Sequence, residues 1–339
     1  MYSNKGDTME ILNLDSVITN VSDLYRSYVF RNGFAFTAIN EPANVYDAIV
    51  IRNPSKCECW TPKQAFSSHT LEEHIEFINR HRIEKALIIA EDISFLMQCP
   101  TLKYLSIVPS DSAPEKFDYS PLYEMPEINW LDCRMKYGGP LEHLSTKIDC
   151  SRINGLKELY VRGNGCLNYN KVESLEKLYF SDYKGLKDLR SISQSKVLKM
   201  LRFVSCSFSS LDGLEDYPNL QSLDIWYNRK ITDISALERS SKSLRGLTIE
   251  NCPKITDFSV LSSLVNMEAL SLEGNNEIPN LRFLNNMKKL KFFINTMNIT
   301  DGDLTPCLSI PYVNIKGRKH YNYQNKDLPK NADPKGFIV

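Results

Sequence analysis

Apolar residues recur along this chain in two short words that alternate. The first is LxxLxL: LKYLSI from Leu102, INWLDC from Ile128, LKELYV from Leu156, LEKLYF from Leu175 and LKMLRF from Leu198. It continues as LQSLDI from Leu220, LRGLTI from Leu244, MEALSL from Met267, LKFFIN from Leu290 and IPYVNI from Ile310, with IEKALI from Ile83 as an earlier, less regular member. Its last two apolar positions are two residues apart, which puts them on one side of an extended strand and the intervening residues on the other. The second word is an Asp or another small polar residue, an apolar residue, a Ser, a variable residue and Leu or Ile. It reads DISFL at 92–96, DYSPL at 118–122, DCSRI at 149–153, DISAL at 233–237 and DFSVL at 257–261, with looser copies at 188, 210, 280 and 301. From Asp188 onward the copies begin at 188, 210, 233, 257, 280 and 301, in steps of 22, 23, 24, 23 and 21 residues. A period of that size means stacked supersecondary units, each burying its apolar face on the next.

This is the leucine-rich-repeat pattern, present about eleven times, and the short Asp-marked units resemble those of bacterial internalin-like proteins. The resemblance implies an α/β solenoid, a horseshoe with a concave parallel β-sheet, short helical or 3-10 turns on the convex side, and terminal caps. Each LxxLxL is then a strand, and each Asp-led word opens the return crossing. Asp92, Asp118, Asp233 and Asp257 are read as caps, their carboxylates accepting from backbone N–H groups at the start of a turn. Small polar residues after the strands, Asn228 and Asn275 together with Cys206 and Cys252, form a packing column. Two units, at DCSRI and NYNKV, reach the strand word only three positions after the Asp-column word ends, and should cross by a tighter turn.

A solenoid needs its ends covered. Residues 1–82 are read as an N-terminal capping region, 83–315 as the repeats and 316–339 as a C-terminal cap with a basic tail. In the first region VYDAIVIRN from Val45 reads as a buried strand. TLEEHIEFINRHR reads as a helix opened by a capping box of Thr70 and Glu73, with Leu71, Ile75 and Ile78 on its inner face. His69, His74 and His81 are expected at the surface or at caps. The tail carries six basic side chains against two acidic ones, with Tyr321 and Tyr323 interleaved. Single-stranded nucleic acid suits such a pattern, but a cap with buried tyrosines is the preferred reading.

Strand alternation assigns the outward face of the sheet from sequence. The third, fifth and following positions of LxxLxL carry Tyr104, Trp130, Asp132, Arg134, Tyr160, Arg162, Tyr179, Arg202, Asp224, Trp226, Glu250 and Glu273. Trp, Tyr and Arg dominate protein–protein hot spots. These twelve are therefore the candidate partner-binding residues, on a face expected to be wet.

Composition narrows the class. The 41 basic and 41 acidic side chains cancel, giving no pull toward nucleic acid or an anionic membrane. No apolar run approaches the ~20 residues that span a bilayer, and the first residues lack the layout of a secretion signal. Nine cysteines are scattered, and the CxC of Cys57 and Cys59 has no second cluster to complete a metal site. Reduced thiols in a cytoplasmic protein follow. No GxSxG, HExxH, phosphate-cradling loop or dinucleotide fingerprint is present. The expectation is a monomeric, cofactor-free, non-catalytic protein that grips a protein partner, as an inhibitor or immunity protein. The alternative is the substrate-recognition subunit of an enzyme complex such as a ubiquitin ligase.

Overall fold

The computed structural model describes residues 16–21, 26–39, 45–53, 69–110, 113–133, 146–163, 165–190 and 192–333. Two compact units are formed: residues 1–156 with 165–167, and residues 157–164 with 168–339. Cys57 and Cys59 lie outside the described residues.

In the first unit, β1 (Ser16–Val21), β2 (Arg26–Arg31), β3 (Phe34–Thr37) and β4 (Ala48–Asn53) pair antiparallel in succession. From β4 onward the sense changes. β5 (Lys85–Ala90), β6 (Tyr104–Pro109) and β7 (Trp130–Cys133) add in parallel. The hairpin between β2 and β3 turns at Asn32 and Gly33, with φ of 52° and 77°. Asn-Gly is the dipeptide that tolerates two positive φ angles in a two-residue turn whose twist matches the strands. The sequence reading passed over this signal and so missed three of the four N-terminal strands. The predicted strand is β4, beginning three residues later than Val45.

Helix α1 (Leu71–His81) follows, and the capping box is formed: Glu73 N–H donates to Thr70 Oγ1 at 3.2 Å, and Thr70 N–H donates to Glu73 Oε2 at 2.7 Å. Its buried face is His74, Phe77 and Ile78, one step around from the expected stripe. Phe77 stacks on Phe34 of the hairpin at 4.1 Å, while Leu71 and Ile75 are only half-buried. His74 is accordingly a core residue and not a surface one. Burial pushes its pKa down, and its Nδ1 lies 2.7 Å from the Thr70 carbonyl oxygen. A short helix α2 (Pro121–Glu124) and a strand β8 (Ile148–Asp149) follow, β8 pairing in parallel with β10 (Cys166–Leu167).

The second unit is a regular repeat stack. Strands β9 (Glu158–Arg162), β11 (Lys177–Ser181), β12 (Met200–Val204), β13 (Ser222–Trp226), β14 (Gly246–Glu250), β15 (Ala269–Glu273), β17 (Phe292–Asn295) and β19 (Tyr312–Ile315) pair in parallel. Register is kept throughout, so Leu178, Leu201, Leu223, Leu247 and Leu270 face one another beneath the sheet. All five are buried. A small pair, β16 (Glu277–Ile278) with β18 (Asn298–Ile299), runs beside it.

The chain returns through 3-10 turns, as the pattern predicts. They span Ser235–Ser240, Ser259–Ser263, Arg282–Asn286 and Thr305–Ser309 here, and Ser94–Gln98 in the first unit. The two short repeats use three-residue turns, Cys150–Arg152 and Tyr169–Lys171. The Asp-led word is a cap at every clear copy. The N–H two residues on donates to the carboxylate at 2.6 Å for Asp92, 2.8 Å for Asp118, 2.8 Å for Asp233 and 2.8 Å for Asp257. These bonds hold the carboxyls of Asp118, Asp233 and Asp257 below their ordinary pKa.

Five strands of the stack, β9 and β11 to β14, close on a left-handed residue. Gly163, Asp182, Ser205, Tyr227 and Asn251 have φ between 50° and 57°. The N–H of each donates to the last carbonyl of the next strand: Gly163 to Ser181, Asp182 to Val204, Ser205 to Trp226, Tyr227 to Glu250 and Asn251 to Glu273, at 2.8–2.9 Å. Beyond it lies the packing column. Asn228 is fully buried, donating to the Phe208 carbonyl at 3.1 Å and accepting from Lys230 and Ile231 N–H at 2.9 and 3.2 Å. The next Asn of the column is Asn276 and not Asn275, which is exposed. Gly274, at φ 140°, takes up an extra residue and moves the buried position on by one.

The tail packs against the last strand. Tyr312 forms an antiparallel bridge with Lys330, and Val313 N–H donates to the Pro329 carbonyl at 3.0 Å. Tyr321 is buried, its hydroxyl accepting from Ile299 N–H at 2.9 Å, so an otherwise open sheet edge is covered.

Candidate functional site

The outer face of the second unit is built from the residue opposite each buried leucine and its neighbours. Parallel register brings Tyr160, Tyr179, Arg202, Asp224, Thr248 and Ser271 into one row across β9 to β15. The first four interlock. Tyr160 and Tyr179 stack with centroids 4.0 Å apart and planes 6° from parallel. The Arg202 guanidinium lies 5.3 Å from the Tyr179 ring and 5.0 Å from the Trp226 ring, a cation held between two aromatic faces. Arg202 Nε donates to Asp224 Oδ2 at 2.8 Å, and the Tyr179 hydroxyl donates to Met200 Sδ at 3.3 Å. Asp224 and Tyr179 are buried within this ladder, which corrects the wet position expected for them, while Tyr160, Arg202 and Trp226 keep a solvent-facing part. The Trp226 Nε1–H is enclosed and has no acceptor among the described residues. An unpaired buried donor costs roughly 1–3 kcal/mol.

Beyond the ladder come Glu250 and Glu273, directly opposed on β14 and β15 and half-buried. Ser271 Oγ donates to Glu273 Oε1 at 2.8 Å, and Asn251 Nδ2 donates to Glu250 Oε1 at 3.2 Å. Tyr227 stands at this rim with 47% of its surface exposed. The sequence reading missed it because only strand positions were counted. The available signal was a large aromatic in a column otherwise filled by Gly, Asp, Ser and Asn.

The remaining candidates divide. Arg162 sits at the end of β9, half-buried. Tyr104 is half-buried on β6, with Lys85 Nζ 5.4 Å over its ring. Trp130 and Asp132 are 1% and 0% exposed, so the wet position expected for them is corrected. Their register opposes Trp130 to Tyr104 and Asp132 to Ser106. At a strand spacing of ~4.8 Å each side chain is walled by its neighbour. Arg134 lies outside the described residues.

Catalytic chemistry has little to draw on. The seven described thiols are free, and six are buried. Burial pushes Cys206 and Cys252 up to about 11 and Cys307 up to about 12, which makes them protonated packing groups and not nucleophiles. Among the described residues no cluster of His, Cys, Asp and Glu is arranged to hold a metal ion. No described helix is long and apolar enough to cross a membrane. One open depression of about 350 Å³ lies on the opposite side of the stack, lined by Asp257, Phe258, Arg282 and Phe283 among others.

The strand register, the 3-10 returns and the buried leucine rows define a leucine-rich-repeat fold. A family model for leucine-rich repeats (two copies) matches residues 196–239. No curated protein matches the chain significantly. Among solved structures it is similar to an internalin (InlF) from Listeria monocytogenes, at 18% identity and a TM-score of 0.49, over 73% of this chain and 76% of that one. The functional domain of InlJ from Listeria monocytogenes is 17% identical with a TM-score of 0.45, over 82% of this chain and 55% of that one. The leucine-rich-repeat protein LIC12759 of Leptospira interrogans is 17% identical with a TM-score of 0.42, over 72% and 57%.

Proposed function

We propose that this chain is a non-catalytic interaction module that binds a protein partner on the outer face of its second unit. The observation that carries this is the Tyr160–Tyr179–Arg202–Trp226 ladder, a hot-spot composition held rigid by stacking and one ion pair. Rigid aromatic anchors lose little conformational entropy when a partner covers them. The narrower reading is an inhibitor or immunity protein that silences an enzyme or toxin by occupying its surface. Reduced thiols suit a cytoplasmic setting, and the covered β19 edge suits a monomer.

Lysate capture with wild-type bait beside Trp226→Ala tests it, followed by calorimetry on the purified pair. Truncation at a true anchor costs about 2 kcal/mol, roughly thirtyfold in affinity. Trp130→Phe, a change in the buried core, serves as the comparison and should leave binding intact. A partner held equally by Trp226→Ala and wild type would remove the outer face from consideration. For the inhibitor reading, the purified complex should lack the partner's own activity, and a fully active complex would sink it.

A further inference from the structure

Building on the protein-binding reading above, we infer that the partner docks a basic segment, with a lysine or arginine side chain set against Glu250 and Glu273 beside the Tyr227 ring. Charge complementarity along the face points there. In the β9–β13 half, cations and carboxylates are matched: Lys177 Nζ lies 3.0 Å from Glu158 Oε1, and Arg202 Nε lies 2.8 Å from Asp224 Oδ2. Across β14 and β15 the balance is lost. Glu250 and Glu273 are cross-strand partners, and the side chains that donate to them, Asn251 Nδ2 and Ser271 Oγ, are neutral. No Lys or Arg among the described residues lies within 4.0 Å of either carboxylate. Like charges directly opposed on neighbouring strands destabilise a sheet, and a partner's cation relieves that repulsion on docking.

The surroundings favour a side-chain cation over a diffuse charge. Tyr227 is 47% exposed, and its N–H donates to the Glu250 carbonyl at 2.8 Å, so an aromatic residue stands beside the carboxylate pair. An ammonium or guanidinium placed there meets two carboxylates and one ring face. Trp226 opposes Glu250 across β13 and β14 and Arg202 lies against the Trp226 ring, so a chain covering the ladder can deliver a basic side chain to the rim. The same two carboxylates repel an acidic peptide or a nucleic-acid phosphate.

The test pans a displayed library of short random peptides against the full chain, in parallel with Trp226→Ala and with Glu250→Gln/Glu273→Gln. Lys or Arg should be enriched among the wild-type binders. Selected peptides should lose about tenfold in affinity for the double glutamine variant, and less as salt rises. They should also fail on Trp226→Ala. Peptides that need Trp226 but carry no basic enrichment, or bind the glutamine variant unchanged, overturn this inference and leave the outer-face reading standing. Peptides indifferent to Trp226, or no enrichment at all, overturn both. Thermal melts of each variant confirm that loss of binding is not loss of fold, since removing opposed carboxylates should leave Tm equal or higher.

Discussion

Tyr227 holds a left-handed backbone at φ 57° in a column where its neighbours are Ser205 and Asn251. For a bulky L-residue that conformation costs about 1–2 kcal/mol, less for Asn, whose short side chain tolerates it. Tyr227→Asn should therefore raise stability by up to about 1 kcal/mol, seen as a higher Tm, while weakening partner binding. A drop in Tm would mean that the ring packs more than its exposure indicates. Arg202 is the opposite case, its charge enclosed between two rings and Asp224. Its fork cannot be replaced by an ammonium without loss, because a point charge neither stacks nor aligns with the carboxylate. Which residues point away from the leucine rows was legible because strand alternation is a local rule. The burial of Trp130 and Asp132 was not, because it depends on what stands on the neighbouring strand, which lies about two dozen residues away in the chain.

The Asp-led turns make a pH prediction. Backbone N–H bonds hold the carboxyls of Asp118, Asp233 and Asp257 below the ordinary 3.8 in the folded chain. A depressed folded pKa adds stability above the unfolded value and loses it as pH falls through the folded one. Tm should accordingly hold steady from neutral pH to about 5 as far as these groups are concerned, and fall below about 4. Asp233→Asn keeps an acceptor but cannot titrate, so its acid-side loss should be smaller than that of wild type. An identical pH profile would exclude Asp233 as a contributor. The packing column carries a larger stake. Asn228→Ala leaves the Phe208 carbonyl and two backbone N–H groups without their partner, at roughly 1–3 kcal/mol for each group left buried and dry. Denaturant unfolding should show a much lower midpoint, and a change below about 1 kcal/mol would mean that water replaces the side chain.

Taken as one charged body, the chain is neutral, with 41 basic and 41 acidic side chains and a pI near 6.9. It should pass a heparin column at neutral pH and low salt without retention, since no net field attracts it to a polyanion. Salt-sensitive retention would reopen a nucleic-acid reading for the basic tail. The structure favours the cap, because Tyr321 is buried against the last repeat and Lys330 bridges to Tyr312.

Periodicity was enough to establish the repeat, the inward leucines and the Asp caps. Each depends on spacing within a single unit of some two dozen residues, where backbone geometry and side-chain direction are set locally. The antiparallel strands at the N-terminus were partly readable through Asn32-Gly33, a turn signal that needs no distant partner. Other features came from contacts between units. Register across the strands stacked Tyr160 on Tyr179, threaded Arg202 between Tyr179 and Trp226, and set Glu250 against Glu273. The same contacts buried His74 and Trp130. A linear pattern says which way a side chain points. What it meets there depends on residues brought alongside by folding, and the chemistry of this face lies in those meetings.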